Sequence, residues 1–151
     1  MQFIHNDLPI EIPELKTKNI NRKRFYETPN GKLYPSITTV LNKKKMQGIS
    51  EWRKKVGEDV ANYIARTAAN RGTKVHHMCE DFLNNNFDEE VHKKNFLPDV
   101  LFSQMKPILM QKVNNILAQE CSLYTDKYKV AGRVDCIAKY DGIPSIIEFK
   151  T

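Results

Sequence analysis

Several features that define common protein classes are missing from this sequence of 151 residues. Its 3 cysteines, Cys79, Cys121 and Cys136, are odd in number and have no CxxC or Cys/His spacing, which argues against a disulfide framework and a zinc site. No run approaches the roughly 18 apolar residues that span a bilayer. The N-terminus has no basic region followed by an apolar core, so it is not a secretion signal. We therefore expect a soluble protein of a reducing, cytoplasmic compartment, without membrane contact.

The length and composition indicate one domain with a single core, since 40% of the residues are hydrophobic. The formal charge is +6 and the pI is near 9.2. The basic residues form three clusters: Lys16, Lys18, Arg22, Lys23 and Arg24; Lys43, Lys44 and Lys45; and Arg53, Lys54 and Lys55. Such clusters suit a polyanionic partner, but a lysine-rich surface that only maintains solubility has the same composition. Charge alone does not decide between the two.

Changes of pattern divide the chain into four segments. Residues 1–20, with Pro9 and Pro13, are predicted to form an extended arm. Residues 21–35 surround Pro29-Asn30-Gly31, which is typical of a β-hairpin turn. Residues 36–120 are mostly helical in pattern, and residues 121–151 change to the β-branched and aromatic composition of strands. The predicted fold is therefore α/β of the α+β type, with helices preceding a three-stranded antiparallel meander.

Four helices are expected between residues 36 and 120. The first is short, capped by Ser36 and closed by the lysines at 43–45, and the second runs from Ser50 to near Gly72. The third begins at Thr73, and the fourth covers 98–120 with a kink at Pro107. Apolar spacing assigns buried faces to the second helix (Trp52, Val56, Val60, Tyr63, Ile64, Thr67) and to the third (Val75, Met78, Cys79, Phe82, Leu83). Core packing is preferred over base stacking for Trp52.

Three strands are predicted at 123–130, 134–140 and 145–149, with short turns at Ala131-Gly132 and Asp141-Gly142. Asp135 would begin one strand, and Glu148 and Lys150, two residues apart, would share a face at the end of its neighbour. Two carboxylates and a lysine suit a Mg²⁺ site, with Mn²⁺ as a substitute, and the hydrolysis of a phosphodiester. The alternative is that Asp135 and Glu148 are ordinary carboxylates at strand ends and Lys150 is a solvated side chain without a catalytic role.

Three stretches resemble a known family. They are YPSITTVL at 34–41, WRKKVGEDVANYIARTAANRGTKVHHMCEDF at 52–82 and AGRVDCIAKYDGIPSIIEFKT at 131–151. Together they resemble the RecB-like branch of the PD-(D/E)XK nucleases, in particular the mitochondrial genome maintenance exonuclease and its phage relatives. The resemblance implies a restriction-endonuclease-like core, Mg²⁺ at Asp135 and Glu148, a catalytic Lys150, and a histidine from a GxxxH motif that Gly72 and His76 match.

Helix geometry selects between the adjacent histidines. At about 100° per residue, His76 borders the buried face of the third helix, whereas His77 points to solvent. We therefore expect His76 to be a metal ligand and catalytic group. Glu80, four residues later, would orient His76 or else be an ordinary surface carboxylate. Glu120 would continue the inner face of the fourth helix and support the metal from behind its ligands.

The expected DNA contacts all lie before the GxxxH motif in the sequence. Phosphates would lie at the start of the first helix and along its basic end, and Tyr34 would stack on bases. The predicted residues are Tyr34, Ser36, Thr38, Thr39, Lys43, Lys44, Lys45 and Arg71. Some RecB-like relatives carry an iron–sulfur cluster on four cysteines, and three scattered cysteines cannot supply it.

The leading hypothesis is a Mg²⁺-dependent exonuclease for single-stranded DNA, acting in recombination, repair or DNA degradation in a bacterial or phage-infected cell. The alternatives are a non-catalytic DNA-binding fragment and a restriction-type endonuclease. In the superfamily a further helix and strand follow the catalytic lysine. We therefore expect an incomplete or split gene product, marginally stable, self-associating or weakly active, to be completed by a C-terminal continuation or a second chain.

Overall fold

The computed structural model describes residues 2–151 and shows a mixed α/β protein. The elements in chain order are β1 (Lys16–Ile20), β2 (Lys23–Glu27), β3 (Leu33–Pro35), α1 (Ile37–Asn42), α2 (Met46–Val56), α3 (Glu58–Leu83), α4 (Glu89–His92), α5 (Phe96–Lys112), β4 (Val113–Thr125), β5 (Val130–Tyr140) and β6 (Ile143–Ile147). The residues form two compact units. Unit 1 comprises Met1–Pro9, Tyr63–Glu120 and Asp135–Thr151, and unit 2 comprises Ile10–Asn62 and Cys121–Val134.

Unit 2 contains an antiparallel sheet in the order β1-β2-β3. The predicted hairpin around Pro29-Asn30-Gly31 is confirmed, since β2 pairs with β3 and Gly31 has a φ of 75°. The sequence analysis missed β1, which lies within the predicted arm. A tight turn joins β1 to β2 through Asn21 and Arg22, both with positive φ. Leu15, Tyr26, Tyr34 and Ala131 form the small buried cluster of this unit.

The short helix α1 begins where its cap predicts. The Ser36 hydroxyl accepts a hydrogen bond from the backbone N–H of Thr39 at 3.1 Å. It also bonds the hydroxyls of Thr38 and Thr39, at 3.0 and 2.7 Å. The Ser36 hydroxyl therefore links both threonine hydroxyls by hydrogen bonds.

The break between the next two helices is at Gly57, so the predicted break near Gly72 is wrong. Gly57 has a φ of 91°, which ends α2, whereas Gly72 lies within the 26 residues of α3. A lone glycine costs a helix only about 1 kcal/mol relative to alanine, so it does not by itself end one. At Gly72 the missing side chain has a use, because a Cβ there would lie 3.3 Å from the Thr151 hydroxyl.

The prediction of a buried face around Trp52 is also wrong. No residue of α2 is buried, and Trp52 is 37% exposed. Val60, Tyr63 and Ile64, which continue the same spacing into α3, are exposed as well. The amphipathic pattern is present, but the described residues on this face are exposed or, at Val56, half-buried.

The core of unit 1 is built on the C-terminal half of α3. Its predicted stripe is confirmed: Val75, Met78, Cys79 and Leu83 are fully buried, and Phe82 packs against them. The remaining core residues come from the N-terminal segment, α5 and the strands: Phe3, Phe102, Leu109, Val113, Ile116, Cys136, Ala138 and Phe149. This packing fixes the face of α3 that His76 borders.

The helix predicted over 98–120 is shorter than expected. It runs from Phe96 to Lys112 and contains Pro107, and the chain continues as β4 from Val113. Ile116 donates its N–H to the Ile4 carbonyl at 2.8 Å and accepts from the Asn6 N–H at 2.9 Å. These backbone bonds to a distant segment stabilise a strand where local spacing indicated a helix.

The second sheet has the strand order β4-β5-β6, and β5 and β6 are antiparallel. The predicted turn at Asp141-Gly142 is confirmed, with positive φ at both residues. The predicted turn at Ala131-Gly132 is wrong, because both residues lie in β5 and the turn between β4 and β5 falls at residues 126–129. β6 ends at Ile147, so Glu148 and Lys150 follow the strand rather than lying on it. In the described residues no helix has both the length and the apolar character needed to cross a bilayer.

Candidate metal centre

His76 reaches the sheet from the buried side of α3. Its Nδ1 lies 3.2 Å from Oδ1 of Asp135, and its ring packs edge-on against Phe149 at 5.8 Å between centroids. The side chain of His77 is 65% exposed, compared with 32% for His76. The predicted orientation of the two histidines is therefore confirmed.

Asp135, on β5, has a side chain that is only 12% exposed. Its Oδ2 accepts a hydrogen bond from the backbone N–H of Phe149 at 2.7 Å. Cys136 pairs with Ile147 in the β5–β6 register, so Asp135 lies at the level of Glu148. The carboxylate thus holds the end of the β6 segment and faces His76 with its other oxygen.

Glu120 joins these residues from β4. Its φ is 50°, in the left-handed region that a side chain with a Cβ adopts at a cost. A single residue of this kind in a strand turns its side chain away from the regular alternation, as a β-bulge does. Glu120 therefore lies near the candidate metal ligands, as expected, but it does so from a strand and not from the predicted helix.

These three side chains form a candidate site for a divalent cation. His76, Glu120 and Asp135 each offer one ligand atom, and the three atoms all lie within 4.8 Å of one another. Two carboxylates and one imidazole suit a hard or borderline cation such as Mg²⁺ or Mn²⁺, with the imidazole favouring Mn²⁺. The residues present therefore fit the metal that the family resemblance implies.

Glu148 and Lys150 form a pair beside this group. The Lys150 Nζ lies 3.7 Å from Oε2 of Glu148, and the Lys150 side chain is 83% exposed. Buried Phe149 lies between them in sequence, so the two charged side chains share the opposite side of the segment. The predicted ligand Glu148 is not one of the three clustered residues, and Glu120, predicted to stand behind the ligands, is.

Glu80 contacts the other histidine. Its Oε2 lies 3.5 Å from Nδ1 of His77, so the partner that the structure gives to His76 is Asp135 and not Glu80. Cys79, between them on α3, is fully buried. Burial, together with the nearby Asp135 charge, raises the pKa of the Cys79 thiol to about 12. In the metal-free protein this thiol therefore stays protonated at neutral pH.

The predicted DNA-contact residues divide by exposure. Tyr34 and Ser36 are buried at 5% and 3% exposure, and the Tyr34 hydroxyl donates to Asp126. Tyr34 therefore cannot stack on a base, which corrects that expectation. Thr38 and the lysines at 43–45 are exposed in unit 2, and Arg71 is half-buried on α3 in unit 1.

Glu120 was expected near the metal, on the inner face of the predicted helix over 98–120 and behind the ligands. Its place among the three candidate ligands could not be predicted, because residues 113–120 fit helical spacing although they belong to β4. Comparison of the chain with protein-family models and with curated protein sequences gives no match.

Proposed function

We propose that this protein is a metal-dependent nuclease that hydrolyses phosphodiester bonds of single-stranded DNA, with a site of the PD-(D/E)XK kind in a restriction-endonuclease-like core. The observation that carries the proposal is the convergence of His76, Glu120 and Asp135 next to the segment that presents Glu148 and Lys150. Carboxylates and a histidine gathered beside a lysine are the groups that phosphodiester hydrolysis requires.

The cation would be Mg²⁺ or Mn²⁺, held by His76, Glu120 and Asp135. When bound, it would supply Lewis-acid activation of a water molecule and of the phosphate. The remaining roles belong to the chain. Asp135 positions the β6 end through the Phe149 N–H, and Phe149 in turn contacts the His76 ring. These contacts keep the ligand side chains in place without the metal.

Lys150 would supply positive charge to the reacting phosphate. Its ammonium is exposed and within 3.7 Å of Glu148, so it can turn toward a bound phosphate without leaving a buried partner unpaired. Charge stabilisation of this type contributes about 10²- to 10³-fold in rate when one group is removed. Glu148 would hold the lysine in reach and accept a proton from water.

The distribution of charge supports a polyanionic substrate. Unit 2 contains 15 Lys and Arg against 7 Asp and Glu, and unit 1 contains 9 against 11. The net charges are therefore +8 and −2. The basic unit suits nonspecific binding of phosphates, and the acidic unit contains the carboxylates that bind cations.

The proposal is tested by incubating end-labelled linear and circular single-stranded DNA with the protein in Mg²⁺, Mn²⁺ or EDTA. We expect metal-dependent release of mononucleotides or short products from the linear strand and an intact circle. Cutting of the circle would make the protein an endonuclease. Binding in Ca²⁺ without cleavage in either Mg²⁺ or Mn²⁺ would refute the nuclease proposal and leave a DNA-binding module.

Matched variants locate the activity. Lys150→Ala and His76→Ala should each reduce cleavage at least about 100-fold. Lys94→Ala, an exposed lysine of the same unit, and His77→Ala should leave it near the wild-type rate. A Lys150→Ala protein that cleaves at the wild-type rate would exclude this site as the catalytic centre.

A further inference from the structure

Unit 1 contains a cavity of about 500 Å³ that the proposed metal chemistry does not use. It is lined by residues 5–7 of the N-terminal segment, by Glu80 and Asn84 near the end of α3, and by residues 116–119 of β4. Its volume lies in the range of about 300–1,000 Å³ that is usual for small-molecule sites.

The N-terminal wall of the cavity is firmly attached. The backbone bonds of Ile4 and Asn6 with Ile116 hold the segment along β4. His5 donates from Nε2 to the Leu83 carbonyl at 2.8 Å, and Asn85 bonds the backbone of Phe3 at both its N–H and its carbonyl. The wall is thus part of the ordered structure.

The lining is rich in hydrogen-bond acceptors. It carries the carboxylates of Asp7 and Glu80 and contains no lysine or arginine. The Gln119 amide N donates to the Glu80 carbonyl at 3.3 Å, which fixes the direction of that amide. Its Oε1 is buried and has no hydrogen-bond partner among residues 2–151. Because His5 donates from Nε2, its Nδ1 is an acceptor in the neutral ring. The two carboxylates would repel a phosphate, and no lysine or arginine of the lining offsets them. The acceptor atoms favour a ligand group that carries N–H donors.

We propose that this cavity receives the exocyclic amino edge of a nucleobase of the DNA strand whose phosphate lies at the metal centre. The inference rests on the proposed function and adds a base preference to it. Glu80 lies one helical turn beyond His76 on α3, and Gln119 directly precedes Glu120 on β4, so the cavity is lined by the two elements that also carry these two candidate metal ligands. The 4-amino group of cytosine donates to the acceptor wall, whereas the 4-oxygen of uracil or thymine repels it.

The test compares oligonucleotides of deoxycytidine and of deoxyuridine, which have no methyl group to distinguish them. Binding of fluorescein-labelled 20-mers is followed by anisotropy in Ca²⁺ with wild-type protein, so that no cleavage is needed. We expect the deoxycytidine strand to bind about tenfold more tightly, the effect of one or two hydrogen bonds. Asp7→Asn and Gln119→Met should reduce this preference to within about twofold. Glu90→Gln, an exposed carboxylate outside the cavity, should retain it.

The Gln119→Met variant also separates recognition from folding. It removes a buried acceptor that lacks a partner in the described residues, and with it the 3.3 Å hydrogen bond that the amide N donates to the Glu80 carbonyl. The two effects oppose each other, so its melting temperature should stay close to that of the wild type. A lower melting temperature with an unchanged preference would show a purely structural role and overturn the inference. Equal binding of the two strands by wild-type protein would also overturn it and leave the nuclease proposal standing. Failure to bind either strand would refute the proposed function itself.

Discussion

Asp135 has two roles in this structure, and two substitutions separate them. It accepts the Phe149 N–H at 2.7 Å and is one of three clustered candidate metal ligands. Asp135→Ala leaves a partly buried N–H without a partner, which costs about 1–3 kcal/mol. Asp135→Asn keeps a neutral acceptor there, so it should cost about 1 kcal/mol or less. For a chain of this size 1 kcal/mol corresponds to about 2–4 °C in melting temperature.

The wild type and the Asp135→Asn protein should also differ in how much Mn²⁺ raises their melting temperatures. Ligand at 100 times its dissociation constant stabilises the native state by about 2.7 kcal/mol, so Mn²⁺ should raise the wild-type melting temperature by about 5–10 °C relative to EDTA. Asp135→Asn should lose most of this increase, although its melting temperature in EDTA is close to that of the wild type. Glu89→Gln, an exposed carboxylate in unit 1, serves as the control and should behave as the wild type does.

The assay is thermal unfolding followed by far-ultraviolet circular dichroism. Tryptophan fluorescence is unsuitable, because the single tryptophan, Trp52, lies in unit 2 and the substitution lies in unit 1. An Asp135→Asn protein with the full Mn²⁺ increase would refute the ligand assignment. An Asp135→Ala protein that melts with the wild type in EDTA would refute the account of the Phe149 hydrogen bond.

Three further perturbations test other parts of the structure. Phe102→Ala should lower the free energy of unfolding by about 3–5 kcal/mol in chemical denaturation, since Phe102 is 2% exposed and packs against Phe82 and Phe87. The hydrogen bond from the Tyr34 hydroxyl is the main cause that holds the Asp126 pKa below its ordinary value of 3.8. The stabilisation from this bond is complete above pH 3.8 and is lost as the pH falls through the lowered pKa. Tyr34→Phe should therefore destabilise the protein at about pH 6 in urea titrations, and its difference from the wild type should shrink as the pH falls from 3.8 through that lowered pKa. Replacing the lysines at 43–45 by serine should weaken binding of single-stranded DNA and lower the slope of log affinity against log salt by up to about 2; an unchanged slope would show that these lysines do not contact phosphate.

Local sequence determined the parts of the fold whose hydrogen bonds and packing are also local. Pro29-Asn30-Gly31 and Asp141-Gly142 predicted their turns because they tolerate positive φ. Ser36 predicted the start of α1 because its hydroxyl caps the helix. The stripe from Val75 to Leu83 predicted the buried face of α3, and with it the inward direction of His76.

Tertiary structure decided what depends on partners distant in sequence. The spacing of residues 113–120 fits a helix, but backbone bonds to Ile4 and Asn6, more than 100 residues earlier, make it a strand. Trp52 has the spacing of a core residue, yet it is 37% exposed, because spacing alone does not supply a packing partner. Glu120 enters the candidate metal centre because it lies on a strand, where its own left-handed φ takes its side chain out of the regular alternation and places it near His76 and Asp135. Helical spacing records which residues share a face, whereas the packing of the whole chain decides what that face meets.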